Sequence, residues 1–529
     1  MRKSNKMLSA GLVIMMLVLQ GCGGSAPQTA ETTAAPAAAA TEAAAAEAVV
    51  DTGNYQETIT FAPRLDFATM DVQNTPSVVT KSVYYLIYNT LVENDPVKGE
   101  LIPALAESWN QVSGTEIEFK LREGVKFHDG SDFTAEDVKF TYEKALESDG
   151  SKSKLASLDS VEIVDDYNLK IHLKDDNMDF LYTITDPSLS ILSEKAFESL
   201  GEEKGIQQGT GPYKYAEWAQ GDYLDLEANA DYWGGAPKTA KIKIRNIPEA
   251  ASRVIAVQTG EIDVLQEPPA SEIPNIQSNQ DLQLVPYPGA TVNFIGMNVN
   301  EAPMDNQTLR KAIAYALNRE EIAIGTYQGT ATLLNNIMHS SNEFYSEINA
   351  TENNLDEARK LLAEAGYKEG ELTLTLACNQ AATTVAACTI IQAELQQIGI
   401  NVEINQMENA TLSASMSEGK GYHLCYSRWS GYAFGPDYAL RQMLYTGGSN
   451  NYAHLSDEKM DQMLDAALKI SDKEERKAAY KEIEQYSDDL MAVYPILIED
   501  YAFVAKKNVQ GIDMPNGPIM NFRNVYLPQ

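Results

Sequence analysis

His128, Asp129 and Gly130 follow one another, and a histidine beside a carboxylate is the pairing from which metal sites and general acid–base pairs are built. The same three residues are also a turn signal, with Gly130 supplying a positive φ and its polar neighbours capping the bend. The turn is the stronger reading. The five histidines, His128, His172, His339, His423 and His454, are scattered, so local spacing assembles no zinc site. Cys22, Cys378, Cys388 and Cys425 form no CxxC pair for metal or redox chemistry. No GxSxG elbow, HExxH pair or GxxxxGKS/T loop occurs, and GTGP at 209–212 lacks the third glycine of a dinucleotide fingerprint. Hydrolase, protease, NTPase and dehydrogenase chemistry therefore have no visible carrier. The chain is expected to be no enzyme, to need no cofactor and no metal, and to hold a ligand rather than convert it.

The chain's first segment sets the expected compartment. Arg2, Lys3 and Lys6 precede an apolar stretch from Met7 to Leu19, and Leu19-Gln20-Gly21-Cys22 closes it. That stretch is shorter than the about 20 residues a membrane-spanning helix needs. It is similar to a bacterial lipoprotein signal, with cleavage before Cys22 and lipidation of its thiol. From Gly23 to Val50 the chain is Ala, Thr, Pro, Glu and Gly with hardly a larger apolar side chain, too little to offset the entropy of ordering. This segment is expected to be a tether with a reach of about 25 to 30 Å. A soluble body held at the outer face of a membrane follows.

The 529 residues comprise 44% hydrophobic and 22% charged side chains, a globular composition long enough for two or three domains. Lys and Arg number 41 against 75 Asp and Glu, a formal net charge of −34 with no basic stripe, so nucleic-acid binding is excluded. The body reads as mixed α/β. Alternating strands are expected at Ile117–Leu121, Val161–Ile163 and Leu169–Leu173, and a hairpin at Tyr213–Trp218 and Tyr223–Glu227 around Gln220-Gly221-Asp222. Asn354 caps an expected helix ending at Gly366; a strand (372–376), a helix (384–398, stopped by Gly399) and a strand (400–404) then form a βαβ unit with a parallel pair. Cys378 follows the first of those strands and Cys388 lies in the helix, so a disulfide between them and a pair of buried free thiols are both open.

Several segments, in this order, carry a resemblance: PALAESW at 103–109, LREGVKFHDG at 121–130, FTAEDVKF at 133–140, GTGPY at 209–213, GEID at 260–263 and RKAIAYALNREEI at 310–322. EARKLLAEAGY at 357–367 and IIQAELQQIGINVEI at 390–404 also fit. Together they resemble the family 5 extracellular solute-binding proteins of ABC transporters, which include oligopeptide-, dipeptide- and nickel-binding members. The resemblance implies a two-lobed α/β periplasmic-binding-protein-like fold (type II, cluster C) with an extra inserted domain and a hinge. On this chain the implied parts are a signal peptide (1–21), the tether (22–50), lobe I (51–89, 209–289 and 501–529), the inserted domain (90–208) and lobe II (290–500). It implies capture of a short peptide or similarly sized polar solute by a lipid-anchored monomer, and delivery to an ABC permease and its ATPases. A metal-chelate or sugar ligand, or a sensor without transport, are the alternatives.

The same resemblance points to ligand residues. Tyr426, Ser427, Arg428, Trp429, Ser430, Gly431 and Tyr432 match the segment that runs along the cleft in peptide-binding relatives, where its backbone pairs with peptide and a tryptophan packs on it. Trp429 matches that tryptophan. Three residues later those relatives carry an acid that grips the peptide amino terminus, whereas this chain has Tyr432. Asp437 is expected to be a loop or helix-cap residue. The segment Arg64 to Asp71 is expected to return across the cleft floor, with Asp66 and Met70 as its candidate contacts. Tyr84 and Tyr88 share a helix face and are read as packing, and Arg122 as the partner of an acid.

Overall fold

The computed structural model describes residues 54–75, 77–95, 99–287, 289, 291–327, 330–340, 342–430, 435–512 and 522–528. Cys22, the signal and the tether lie outside the described residues, as do Gly431 and Tyr432.

Three main sheets organise the body. The first has seven strands in the order Leu282–Tyr287, Tyr501–Lys506, Val264–Gln266, Thr58–Ala62, Lys241–Arg245, Tyr223–Ala228 and Tyr213–Ala219. Thr58–Ala62 runs parallel to both its neighbours, and the remaining pairs are antiparallel. The second has six, in the order Ala331–Leu333, Val493–Glu499, Thr291–Met297, Leu424–Ser430, Leu372–Asn379 and Ile400–Met407. A four-stranded antiparallel sheet, the third, is built from Ala106–Ser113, Glu116–Leu121, Asn168–Leu173 and Leu158–Asp165. Its two central strands alternate buried and outward residues, with Ile117, Phe119 and Leu121 buried in one and Leu169, Ile171 and Leu173 in the other.

The expected βαβ unit forms. Asn354 accepts the Glu357 N–H at 3.1 Å and starts the helix Leu355–Glu364. Strand Leu372–Asn379, helix Ala382–Gln396 and strand Ile400–Met407 follow, and the two strands pair in parallel from Leu372↔Ile400 onward. Val493–Glu499 is buried along its whole length, as suits a strand covered on both faces. Pro495 lacks an N–H, and its pairing with Phe294 falls where the register of this strand against Thr291–Met297 shifts.

The chain passes between the first and second sheets twice, from Tyr287 to Thr291 and from Glu499 to Tyr501. At the first passage a Cβ on Gly289 would stand 1.8 Å from the Glu499 carbonyl oxygen, so only glycine lets the two passages lie against each other. Next to the third sheet, the motif at 128–130 is the expected turn: Gly130 has φ +88°. The His128 ring accepts the Gly209 N–H at Nδ1 and donates from Nε2 to the Gly211 carbonyl, and burial holds its pKa at about 4. A Cβ on Gly209 would stand 2.0 Å from the Ile87 carbonyl oxygen, so GTGP is a packing loop against the helix Val78–Ile87. Arg122 donates from Nε to the Ala104 carbonyl and lies over the Trp233 ring rather than meeting an acid at close range. Tyr84 and Tyr88 are fully buried, edge to face, as packing residues.

A buried ion pair joins the segment after the third sheet to the helices flanking the second. Asp179 takes the Arg476 guanidinium and, at 2.8 Å, the N–H of Asp437; Asp179 and Arg476 are each 4% exposed. Asp437 lies in the first turn of the helix Pro436–Leu444 and pairs with Arg441 at 2.7 Å.

Candidate functional site

The strand Leu424–Ser430 pairs antiparallel with Thr291–Met297 along its length, from Leu424↔Met297 to Ser430↔Thr291. On its other side Leu372–Asn379 meets it only at Leu376↔Leu424 and Ala377↔Cys425 and then continues with Ile400–Met407 alone. No strand of the described residues pairs with that edge from Tyr426 to Ser430. A backbone edge of this kind is a template for an added extended chain.

At the end of this strand the two passages bring polar side chains together. Arg428 donates from Nη1 to Glu499 Oε1 at 3.1 Å. The same carboxylate receives the Tyr327 hydroxyl at 2.7 Å, Asn293 Nδ2 at 3.4 Å and, on Oε2, the Tyr501 hydroxyl at 3.4 Å. Tyr426 donates its hydroxyl to Asn293 Oδ1 at 3.3 Å, which orients the amide toward Glu499. From the first sheet, Arg64 Nε lies 3.4 Å from Glu267 Oε2. Glu267 follows the strand Val264–Gln266 in a left-handed conformation, φ +53°, which is costly for a residue with a side chain. Burial pushes its carboxyl up to about 7, with the Glu499 charge acting the same way and Arg64 and Arg253 opposing. Burial also raises the Tyr501 hydroxyl, and the charges of Glu499 and Glu267 add to this.

The structure distributes the expected ligand residues unevenly. Arg428 is exposed on the face of its strand turned to Glu499. Trp429 is 6% exposed and packs with Leu440, Met443 and Leu444 beneath the helix Pro436–Leu444 and against Tyr438, because alternation along the strand turns it away from Arg428. The Tyr426 ring, 2% exposed, lies in the core beside Ile295 and Tyr494. Met70 packs with Phe67, Val72 and Tyr84 under the first sheet. Asp66 is half-buried in the loop after Thr58–Ala62. Ser430 closes its strand opposite Thr291, while Gly431 and Tyr432 are outside the described residues. Glu267, Glu499, Asn293, Tyr327 and Tyr501 went unnoticed in the sequence; the one local signal was an acid ending the otherwise apolar run VYPILIE.

Among the described residues no group of three or more His, Cys, Asp or Glu side chains could hold a metal ion. Cys378, Cys388 and Cys425 are buried free thiols. Among the described residues no helix is long and apolar enough to cross a membrane.

Comparison with known proteins matches residues 100–451 to the family described as bacterial extracellular solute-binding proteins, family 5. The chain belongs to this family. It is 30% identical over 431 residues to the glutathione-binding protein GsiB of Pectobacterium atrosepticum, covering 79% of this chain and 84% of that one. HbpA2 from Haemophilus parasuis superposes with a TM-score of 0.81 at 26% identity, over 89% of this chain and 99% of the other. The peptide-bound binding protein DppA from Helicobacter pylori gives 0.73 at 25% identity, over 90% and 99%. This solute-binding protein therefore has the two-lobed α/β fold of its family, and it is a solute-binding component of the ABC-importer class.

Proposed function

We propose that this solute-binding protein captures a short peptide, or a solute of similar size such as glutathione, along the open edge of the Tyr426–Ser430 strand and hands it to a membrane permease driven by ATPases. The observation that carries this is the strand itself: its backbone is unpaired by any described strand on one side just where it reaches the junction of the two sheets. Relatives named for glutathione and for bound peptide support a ligand of that size. In this reading the first sheet belongs to lobe I, the second to lobe II and the third to the inserted domain, with the hinge at 287–291 and 499–501. Closure of the lobes buries the solute against Arg428 and the Glu499 cluster. Cys22 carries the lipid that holds the protein outside the cell membrane, and Tyr432, in place of an acid, removes the need for a free amino terminus.

Isothermal titration of glutathione, tetra-alanine and N-acetyl-tetra-alanine tests this. At least one is expected to bind, with acetylation weakening tetra-alanine by less than about tenfold, since a charge-assisted hydrogen bond to the amine contributes about 1.5 to 3 kcal/mol. A library of di- to hexapeptides and glutathione that leaves the melting temperature unmoved, with no ligand mass in native mass spectra, would refute capture of such solutes.

A further inference from the structure

Arg64 and Arg428 stand on opposite sides of the junction, one beyond the first strand of the first sheet and one on the second sheet. Their side chains are 42% and 41% exposed, while the acids they meet, Glu267 and Glu499, are 15% and 11% exposed. Burial is therefore asymmetric: the carboxylates lie behind and the guanidiniums in front. Among the described residues Arg428 commits only Nη1 to its acid and Arg64 only Nε. A guanidinium carries five N–H donors in a planar fork, so Arg428 keeps its Nε/Nη2 edge and Arg64 its Nη1/Nη2 edge for a second carboxylate. The acids are occupied as well. Glu499 already receives Tyr327, Asn293 and Tyr501 besides Arg428, so it anchors the guanidinium without depending on a ligand. Asp500, next in the chain, has its carboxylate on the Thr332 hydroxyl, at 3.0 Å from each oxygen. In a chain of formal net charge −34, the exposed half of this junction presents positive donors.

We infer that Arg428 and Arg64 are the specificity-determining residues of the cleft and select solutes that carry a free carboxylate, best of all solutes with two carboxylates that one guanidinium from each sheet can grip on closure. This rests on the cleft reading above and names the chemistry it selects. Each acid preorients its guanidinium, so little rotamer freedom is lost on binding. The paired grip would also make closure and recognition one event, because neither sheet alone holds both arginines.

Paired calorimetry tests it: glutathione against its diethyl ester, and tetra-alanine against its C-terminal amide, on wild type, Arg428→Gln, Arg428→Lys and Arg64→Gln. On wild type each free acid is expected to bind about tenfold or more tightly than its neutral partner. The acid-to-neutral ratio should fall toward one in R428Q and R64Q and stay intermediate in R428K, which keeps the charge and loses the fork. Because the ratio is taken within one protein, a variant with some loss of folding still reports. Equal binding of acids and their neutral partners to wild type, or a ratio unchanged by all three substitutions, overturns carboxylate selection and leaves solute capture standing. A preference for the ester or amide overturns it too. If none of the four probes binds, both the carboxylate proposal and the peptide reading beneath it fall.

Discussion

Glu394 lies in the helix Ala382–Gln396, 2% exposed, with Oε2 accepting the Asn318 N–H at 3.2 Å and Oε1 without a hydrogen-bond partner among the described residues. Burial raises its carboxyl to about 8, Glu321 adds to the rise and the Asn318 N–H opposes it. The folded state thus holds this proton more tightly than the unfolded chain does. Its stabilising contribution is complete below the ordinary carboxylate range and is lost as pH rises through about 8. Glu267 and Glu484, each raised to about 7 mainly by burial, act in the same direction. The wild-type melting temperature is therefore expected to fall between pH 6 and pH 9. Glu394→Gln removes the charge while keeping the shape, and should stabilise the protein by more than about 1 kcal/mol at pH 9 and by less at pH 6. A melting profile of the variant parallel to wild type across that range would refute the assignment. None of this was legible in the sequence, where a glutamate on a helix reads as a solvated residue until the packing over it is known.

Elements with local signals were legible, and those fixed by distant partners were not. Asn354 and Gly366 bracket a helix by short-range chemistry, and the alternation at 372–376 and 400–404 names two strands of one sheet. Trp429 could be matched by motif, but which face it takes depends on the helix Pro436–Leu444 closing over it. The buried pair of Asp179 and Arg476 likewise has no local signature, since its members come from separate parts of the chain. Arg476 also lies 4.9 Å from the Phe344 ring centre and donates to the Tyr480 hydroxyl at 3.2 Å, so its removal leaves Asp179 buried without its counter-charge. Arg476→Met is expected to cost about 3 to 5 kcal/mol, and Asp179→Asn in that background to restore part of the loss. Urea unfolding of both single variants and the double variant measures this; strictly additive losses would show that the pair acts as two separate contacts.

At the scale of the molecule, the proposed lipid on Cys22 predicts location. Wild-type protein should sediment with membranes and Cys22→Ala should move to the soluble fraction, as followed by immunoblot. Equal distribution of the two forms would remove the anchor from the proposal. The sheet order has a different consequence, one in time rather than place. Tyr501–Lys506, near the end of the chain, lies between Val264–Gln266 and Leu282–Tyr287, whereas every strand of the second sheet comes from residues 291–499. A chain made from its amino terminus completes the second sheet's strands first, and the first sheet waits with a one-strand gap near its edge. Closing that gap brings together segments far apart in sequence, a slow kind of pairing. A chain stopped after Asp500 should keep amide protection in Thr291–Met297 and Val493–Glu499 while Leu282–Tyr287 exchanges freely. Tyr501–Lys506 would then be the strand that commits the whole molecule to its final form.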